Sequence, residues 1–405
     1  MLIGLVTSTA CSQPTVGGGK PALITTLPRQ LSPAEQAIAQ STPDFAIALL
    51  KTVNRGFAGR NVFASPLSAS MALGMTLNGA SGTTFSEMRS ALGLPDKPLA
   101  ELNAGYQGLI AMLRGLDKTV DFRIANSIWY SKRFGPAVEA SFLSDTKLYF
   151  GAASAGLDFG TVQATTTIND WVKTGTNGKI DKIVDVIPPE MVMYLINAIY
   201  FKGAWREAFD PRNTAASTFT TDGGQHLQVP MMTRKGGFRA GSLGGTTIVE
   251  LPYGGDAYAM TIAMPAEGVA IDTFVAGLTP AVWQSLATSV AASTFDLYVP
   301  KFKLVWEDEL SNELKSLGMR EAFEGGVADF SRLSRAEGRN LYVSEVKQKT
   351  FVDVNEEGTE AAAVTSVGIV VTSLPPQIRL DRPFVFAIRE RLTGTVVFIG
   401  KLVKP

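Results

Sequence analysis

Residues 356–376 read EEGTEAAAVTSVGIVVTSLPP, a stretch that fits either an exposed loop or a strand within a sheet. A strand directs alternate side chains to opposite faces. One row of alternate residues carries no charge and begins with small side chains: Thr359, Ala361, Ala363, Thr365, Val367 and Ile369. This row can therefore be buried, while the one charge of the other row, on Glu360, faces water. Gly358 stands where the row begins, and its backbone freedom suits a hinge.

Two other interpretations of this stretch are less consistent with its residues. Alanine is the best helix former, so EAAAVTS alone fits a helical turn. The run VGIVVT at residues 367–372 is β-branched around a glycine, however, and disfavours a continued helix. A permanent strand from Thr359 to Thr372 would span roughly 46 Å at about 3.3 Å per residue, which is far longer than usual. Pro375 and Pro376 end the stretch, since proline donates no hydrogen bond to a sheet.

Length and composition indicate a globular protein. The chain has 405 residues, of which 45% are hydrophobic and 18% are charged, enough for a sizeable core. Lysine and arginine total 37, and aspartate and glutamate also total 37. No strong overall field therefore favours nucleic acid or an anionic membrane as a partner.

The reactive residue types are too few for most catalytic or metal sites. His226 and Cys11 are the only histidine and the only cysteine in the sequence. A single cysteine forms no internal disulfide, and this pair leaves little for a structural zinc site. A Ser-His-Asp triad would have to use His226, and the sequence contains no G-x-S-x-G, H-E-x-x-H or C-x-x-C motif. We therefore predict a protein that is not an enzyme and that has no cofactor or metal.

The leader MLIGLVTSTAC resembles the end of a bacterial lipoprotein signal, in which the cysteine is lipidated after cleavage. Ser8 stands where leucine is usual, and no Lys or Arg precedes the apolar run. The alternative is a frayed N-terminus with an unremarkable cysteine. We expect a leader over residues 1–11, with Cys11 as the candidate lipidation site, and a flexible tether over residues 12–41. The protein would be secreted or held at the cell envelope by a lipid anchor.

Local signals predict several helices and strands further along the chain. Ser41 and Thr42 can cap a helix that starts near Pro43. Other helices are predicted over residues 98–116 and 307–317. Strands are predicted over residues 121–130 and 194–205, and residues 384–403 form two more strands around a turn at 393–394.

The run VNEEGTEAAAVTS at residues 354–366 resembles the hinge of the reactive-centre loop in the serpin family. The matching residues are Glu356, Glu357, Gly358, Thr359, Glu360, Ala361, Ala362 and Ala363. The sequence DRPF at residues 381–384 resembles the motif that follows this loop. The resemblance extends over about residues 42–405, which would form a serpin domain. It implies an α+β fold with three β-sheets, about eight to nine helices and an exposed reactive-centre loop at about residues 356–376.

The resemblance also assigns residues to two regions that control the main sheet. The shutter, a small polar region beneath the point where the sheet opens, would contain Asn61, Ser65, Ser68, Asn197 and Gln348. The breach, where the loop first enters the sheet, would contain Trp205 and Lys301, with Lys301 paired to Glu356. From the residues alone, capping and core filling also explain the serines, and Trp205 also fits an ordinary core aromatic.

Gln348 departs from the family pattern, which usually has a histidine at this position of the shutter. Glutamine both donates and accepts hydrogen bonds, so the shutter network can survive the change. Any pH sensitivity that the histidine supplies would be absent from this chain.

The resemblance implies a suicide-substrate inhibitor of serine proteases. Counted from the hinge, the cut would fall between Thr372 and Ser373, with an acyl-enzyme at Thr372. The freed segment, residues 359–369, would then enter the main sheet, so a kinetic barrier must hold the native fold. The alternative is a serpin-fold carrier, chaperone or storage protein with an inert loop.

The residues before the expected cut bear on the target and on accessory partners. Val371 and Thr372 are small and uncharged, which favours elastase-like or subtilisin-like proteases over trypsin-like ones. The cut can also fall one residue earlier, at Val371. We expect a monomer. A heparin-type cofactor is not expected, because the charged residues of region 97–118 have both signs: Lys97, Glu101, Arg114, Asp117 and Lys118.

Overall fold

The computed structural model describes residues 20–359 and 376–405. The candidate lipidation site, the reactive bond and half of the predicted hinge lie outside the described residues: Cys11, Thr372, Ser373, Glu360, Ala361, Ala362 and Ala363.

The described part of the chain is of mixed α and β composition. Its α-helices are α1 Pro33–Gly56, α2 Pro66–Leu77, α3 Gly82–Ala91, α4 Leu99–Leu116, α5 Ala140–Phe150, α6 Val162–Gly175, α7 Ile271–Gly277, α8 Pro280–Thr288 and α9 Ser311–Ser316. Its strands are β1 Val62–Ala64, β2 Val120–Ser131, β3 Ala153–Leu157, β4 Met193–Ala204, β5 Ala215–Thr220, β6 His226–Leu243, β7 Thr246–Pro252, β8 Tyr258–Met264, β9 Ala291–Pro300, β10 Phe302–Glu309, β11 Lys347–Val354, β12 Gly358–Thr359, β13 Gln377–Arg379, β14 Phe384–Glu390 and β15 Val396–Leu402.

Hydrogen bonds connect these strands into two sheets. The smaller sheet has six strands in the order β10-β11-β12-β4-β2-β3. The larger has nine, in the order β1-β15-β14-β8-β7-β6-β9-β13, with β5 paired to β6. The family resemblance implies three sheets. Two of them are continuous here, because β6 is 18 residues long and pairs with β5 at its start and with β7 at its end.

The first helix begins ten residues earlier than the sequence analysis predicted. Ser32 caps it, since its Oγ accepts from the Glu35 N–H at 3.2 Å and the Glu35 carboxylate accepts from the Ser32 N–H at 2.6 Å. Pro43 lies inside the helix and has no N–H to donate to the carbonyl of Ala39. That carbonyl accepts a hydrogen bond from Thr42 Oγ1 at 2.7 Å instead. The boundary of the flexible tether at residue 41 was therefore too late, because residues 33–41 belong to α1.

A second boundary also differs from the prediction. Residues 307–309 continue β10 rather than starting a helix, since Glu307 and Glu309 pair with Lys349 and Lys347 of β11. Helix α9 begins at Ser311. The predicted helix over residues 98–116, the strands that became β2 and β4, and the final pair β14 and β15 are confirmed.

The six-stranded sheet is covered on both faces. On one face, α6 packs Ile168 and Val172 against Trp129 and Ile196 of the sheet. The other face joins the main core, where α2 lies beside β4. Alternate residues of β4 therefore point to different faces of the sheet, and polar residues on the α2 side stand out as candidates for a specific network.

Candidate functional site

The predicted hinge enters the six-stranded sheet as a strand. Strand β12 lies between β11 and β4, with Thr359 opposite Val354 on one side and Gly203 on the other. Both pairings are antiparallel. Thr359 is only 2% exposed, so the first residue of the uncharged row already occupies the buried face of the sheet.

The side chain of Thr359 meets an aromatic cluster. Its Oγ1 lies 2.7 Å from the hydroxyl oxygen of Tyr253. The Tyr253 ring stacks on Trp205 with centroids 4.6 Å apart and meets Phe201 edge-on at 5.0 Å. Burial raises the pKa of Tyr253, with the Thr359 bond acting in the opposite direction, so this hydroxyl stays protonated. A bulky or charged side chain in place of Thr359 would meet these rings.

Gly358 has a geometric requirement beyond flexibility. Its φ of 152° is one that side-chain-bearing residues rarely adopt. A Cβ at this position would lie 2.1 Å from the carbonyl oxygen of Gly203 on β4, well inside contact distance. The backbone of the hinge can therefore approach β4 this closely only because residue 358 lacks a side chain.

The backbone around Trp205 holds the two residues before Gly358. Trp205 N–H donates to the Glu357 carbonyl at 2.8 Å, and Phe209 N–H donates to the Glu356 carbonyl at 2.8 Å. The Trp205 indole Nε1 donates to the Asn355 carbonyl at 2.9 Å. Trp205 is 5% exposed. It is thus both a core aromatic and a direct contact of the hinge.

Glu356 is buried, and it carries the charged contact at this end of the sheet. Its carboxylate accepts from Lys301 Nζ at 2.8 Å and from Thr214 Oγ1 at 2.7 Å. Burial raises the pKa of the carboxyl group, but the hydrogen bonds from Lys301 and Thr214 outweigh it and leave the pKa below its ordinary value. Glu356 is 7% exposed and the Lys301 side chain is 36% exposed, so this ion pair is only partly screened by solvent.

Ser65 and Gln348 form a reciprocal pair at the start of α2. Ser65 N–H donates to Gln348 Oε1 at 2.8 Å, and Gln348 Nε2 donates to the Ser65 carbonyl at 2.8 Å. Ser65 Oγ also donates to the Val397 carbonyl at 2.8 Å. Gln348 thus uses both its donor and its acceptor, and it ties β11 to α2 and the larger sheet.

Ser68 and Asn197 connect α2 to the neighbouring strands. Ser68 Oγ donates to the Asn197 carbonyl at 3.5 Å, and Asn197 Nδ2 donates to Asn126 Oδ1 at 2.7 Å. Asn126 Nδ2 in turn donates to the Phe150 carbonyl at 2.8 Å. Four of the five predicted shutter residues therefore converge between β4 and β11.

Asn61 is the exception. Its Oδ1 accepts from Val403 N–H at 2.7 Å, and its Nδ2 donates to the Lys404 carbonyl at 2.7 Å. These bonds fasten the end of the chain beside β1. The placement of Asn61 in the shutter was therefore wrong for its side chain, which holds the C-terminus instead.

Three contacts of this site were missed at the level of sequence. Tyr253, Thr214 and Asn126 lie on strands or turns far from the hinge in the chain. The sequence does mark Asn126 as unusual, because it is a polar residue in a row of β2 whose other members are Phe122, Ile124 and Ile128. No sequence pattern marks Tyr253 or Thr214, since their contacts with the hinge depend on which strands become neighbours in the fold.

Between β4 and the segment leading into β11 lies a cavity of about 420 Å³. Residues of the shutter, among them Ser68, Asn197 and Gln348, line one end of it. Within residues 20–359 and 376–405, no strand pairing joins β4 to β11 except through β12. These two strands are therefore separated in the described part of the sheet below the hinge.

Over the described ranges, no group of three or more His, Cys, Asp or Glu side chains is placed to hold a metal ion. No helix in this part of the chain is both long enough and apolar enough to cross a membrane.

Known proteins resemble this chain over almost all of its length. The family model described as "Serpin (serine protease inhibitor)" matches residues 40–405. Neuroserpin from Homo sapiens is 32% identical over 386 residues, which are 92% of each chain. Human thyroxine-binding globulin in complex with thyroxine has a TM-score of 0.83 at 30% identity, covering 92% of this chain and 99% of that one. The native state of the thermophilic serpin Tengpin has a TM-score of 0.82 at 32% identity, covering 95% and 97%.

These similarities and the architecture agree. The α+β fold has nine α-helices in its described part and a hinge that enters the six-stranded sheet, and the family match covers far more than half of the sequence. The chain therefore belongs to the serpin family of serine protease inhibitors.

Proposed function

We propose that this serpin inhibits serine proteases as a suicide substrate. The protease attacks the bond between Thr372 and Ser373 and forms an ester with Thr372, releasing the new amino terminus at Ser373. The segment that begins at Thr359 then enters the six-stranded sheet and carries the protease with it before water completes the reaction. The observation that supports this most strongly is the buried position of Thr359 between β11 and β4.

The register of β12 supports the path of insertion. In an antiparallel pair, each step forward along one strand is a step back along its partner. Continuing β12 by six residues would place Thr365 opposite Gln348 on β11 and Asn197 on β4. Both belong to the polar network beneath the sheet, and a threonine suits such a site. The uncharged row of the hinge would thus meet buried surface at every second residue.

If the freed segment inserts as a strand, the native fold that precedes insertion is metastable. A new central strand supplies backbone partners to β4 and β11, so the inserted state is lower in free energy than the native state. The native state persists because a barrier separates the two. Cleavage removes the constraint at one end of the loop and lets the strand form.

The proposed targets follow from the residues before the cut. Val371 and Thr372 offer small uncharged side chains. A trypsin-like pocket that holds a carboxylate would reject them, whereas an elastase-like or subtilisin-like pocket would accept them. The cut can also fall one residue earlier, at Val371, because the pocket of the protease determines which side chain it accepts.

A protease panel tests this function. The protein is incubated with elastase, subtilisin and trypsin, and each mixture is separated on a denaturing gel. We expect a covalent complex with elastase or subtilisin. We also expect a released peptide whose mass corresponds to a chain that begins at Ser373. Complete cleavage by all three proteases without any complex would contradict inhibition, and a peptide starting elsewhere would correct the reactive bond.

The second candidate is a non-inhibitory carrier, chaperone or storage protein. The likeness to human thyroxine-binding globulin favours it, since that protein is described in complex with thyroxine. Under this alternative the loop is inert, so cleavage gives neither a covalent complex nor a large rise in thermal stability. In both cases we infer a binding protein rather than an enzyme.

We also propose that the protein is monomeric, and that it is secreted or anchored through a lipid on Cys11. Cys11 lies nine positions before Lys20, the first described residue, and nine steps of chain reach at most roughly 30 Å. Lys20 pairs with Glu207 close to the hinge. An anchor at Cys11 would therefore keep the loop end of the molecule near the membrane. The mass of the mature N-terminal peptide tests this directly.

A further inference from the structure

The segment from Lys20 to Leu31 has no helix or strand, yet it is fastened to the body of the protein. Ile24 N–H donates to the Gly255 carbonyl at 2.8 Å. The side chains of Ile24, Leu27 and Leu31 are half-buried against the main core. At its far end, Arg29 bonds to the Glu35 carboxylate of the α1 cap at 2.8 Å. We call residues 20–31 the N-terminal strap.

The turn at Gly255 fits the strap closely. A Cβ on Gly255 would lie 2.8 Å from Cδ1 of Ile24 and 3.1 Å from the carbonyl oxygen of Ala22. This turn connects β7 to β8 in the larger sheet. The strap is therefore seated on the larger sheet through a close contact, in which an added side chain at Gly255 would push Ile24 or Ala22 away.

The strap also holds the end of β4, which belongs to the smaller sheet. Arg206 Nη1 donates to the Pro21 carbonyl at 2.9 Å, and Lys20 pairs with Glu207. The same Arg206 nitrogen donates to the Gly254 carbonyl at 2.9 Å. The residues that follow β4 are thus tied to both the strap and the turn of the other sheet.

Residues 205–209 connect the strap to the hinge. Trp205 and Phe209 donate their N–H groups to the carbonyls of Glu357 and Glu356, while Arg206 and Glu207, between them, face the strap. A displacement of this short segment would therefore stretch contacts on both sides at once.

We propose that the strap is a brake on insertion of the hinge beyond Thr359. If entry of more of the chain shifts β4 relative to the larger sheet, that shift would strain the contacts at Arg206 and Ile24. Contacts that are present in the native state and lost in the transition state raise the barrier to conversion. The inference rests on the metastable fold proposed above, because a brake matters only if an inserted state is lower in free energy.

The test uses the intact full-length protein and no protease. Ile24→Pro removes the N–H that donates to Gly255, and Ile24→Ala removes only side-chain contact. Thr26→Pro is the matched control, because Thr26 is exposed and has no hydrogen bond within the described residues. Each protein is held just below its unfolding temperature. The fraction converted to a heat-stable form is followed over time, and mass spectrometry confirms that the chain is uncut.

We expect Ile24→Pro to convert about tenfold faster than the parent, as for the loss of about 1.4 kcal/mol from the barrier. Ile24→Ala should be faster by a smaller factor, and Thr26→Pro should match the parent. Equal rates for all four proteins would overturn the brake, and so would equal acceleration by both proline variants.

A separate measurement distinguishes failure of the brake from failure of the proposed function. The parent is cleaved in its loop, and its melting temperature is compared with that of the uncut protein. If cleavage raises the melting temperature but Ile24→Pro does not accelerate conversion, only the brake is wrong. If cleavage leaves it unchanged, the fold is not metastable and both proposals fail.

Discussion

The hydroxyl groups of Thr359 and Tyr253 lie 2.7 Å apart where the hinge enters the sheet. Tyr253 is fully buried and Thr359 is 2% exposed, so water does not compete for this bond. Each hydroxyl can donate or accept. Removing either one leaves the other without its partner in a buried place, which is more costly than removing both.

We expect Tyr253→Phe and Thr359→Val each to lower the free energy of unfolding of the native form by about 1–3 kcal/mol. The double variant should lose less than the sum of the two, because both polar groups are then gone. Denaturant unfolding of the four proteins measures this coupling. Strict additivity would show that the two hydroxyls do not interact.

Thr359→Arg tests whether insertion is the inhibitory step. A charged side chain at this position would have to be buried against Tyr253 and Trp205, so insertion slows and hydrolysis of the acyl-enzyme wins. We expect complete cleavage with little covalent complex on a denaturing gel. Glu360→Arg is the control, since its side chain belongs to the other row and should leave complex formation intact. A Thr359→Arg protein that still trapped protease would rule out insertion as the mechanism.

Alternation and glycine placement in the sequence were enough to predict a strand-capable segment with a buried row, since both are local properties, while the family resemblance identified this segment as the hinge. The first residue of the uncharged row is buried, and Gly358 stands where a side chain would clash. The start of α1 was missed although its signals are local too. Ser32 and Glu35 form a capping box at the observed start of α1. Pro43 also fits the first turn of a helix, and the sequence analysis therefore placed the start there, but in the structure Pro43 lies inside α1.

Contacts across the fold were harder to predict. Gln348 was assigned correctly to the neighbourhood of Ser65 only through the family resemblance, because 283 positions separate the two residues in the chain. Tyr253 and Thr214 have no local pattern that marks them. Asn61 was placed in the shutter through the same resemblance, but its hydrogen bonds go to Val403 and Lys404 at the other end of the chain.

Gly358→Ala should weaken the hinge contact in the native protein. The new Cβ would combine an unfavourable φ with a clash against the Gly203 carbonyl, so the backbone must move away from β4. We expect a loss of about 1–3 kcal/mol of stability. Gly244→Ala is the control, because Gly244 has a φ of 58° but nothing within 4 Å of an added Cβ. A thermal melt that ranks the control as the more destabilised protein would contradict the clash.

Gln348→His should add a pH dependence to the Ser65 pair, which glutamine at position 348 does not supply. Gln348 accepts from Ser65 N–H and donates to the Ser65 carbonyl, and a neutral histidine can supply one donor and one acceptor. A protonated histidine has no acceptor, and burial lowers its pKa. Unfolding of the variant should therefore bind protons, and its stability should fall below about pH 6.5. Gln348→Ala, which is destabilised without a titrating group, is the control for the stability curve.

Glu356 should make the native hinge sensitive to acid. Its pKa in the folded protein lies below the ordinary value of 4.5, so its contribution to stability is complete above that pH. The contribution is lost as the pH falls through the folded pKa, since the carboxyl group must then take up a proton. Lys301 is partly exposed, and solvent screening keeps the effect near 1 kcal/mol. Melting curves of the parent and Glu356→Gln between about pH 7 and pH 3 should converge at the acidic end, and a constant difference across that range would contradict the lowered pKa.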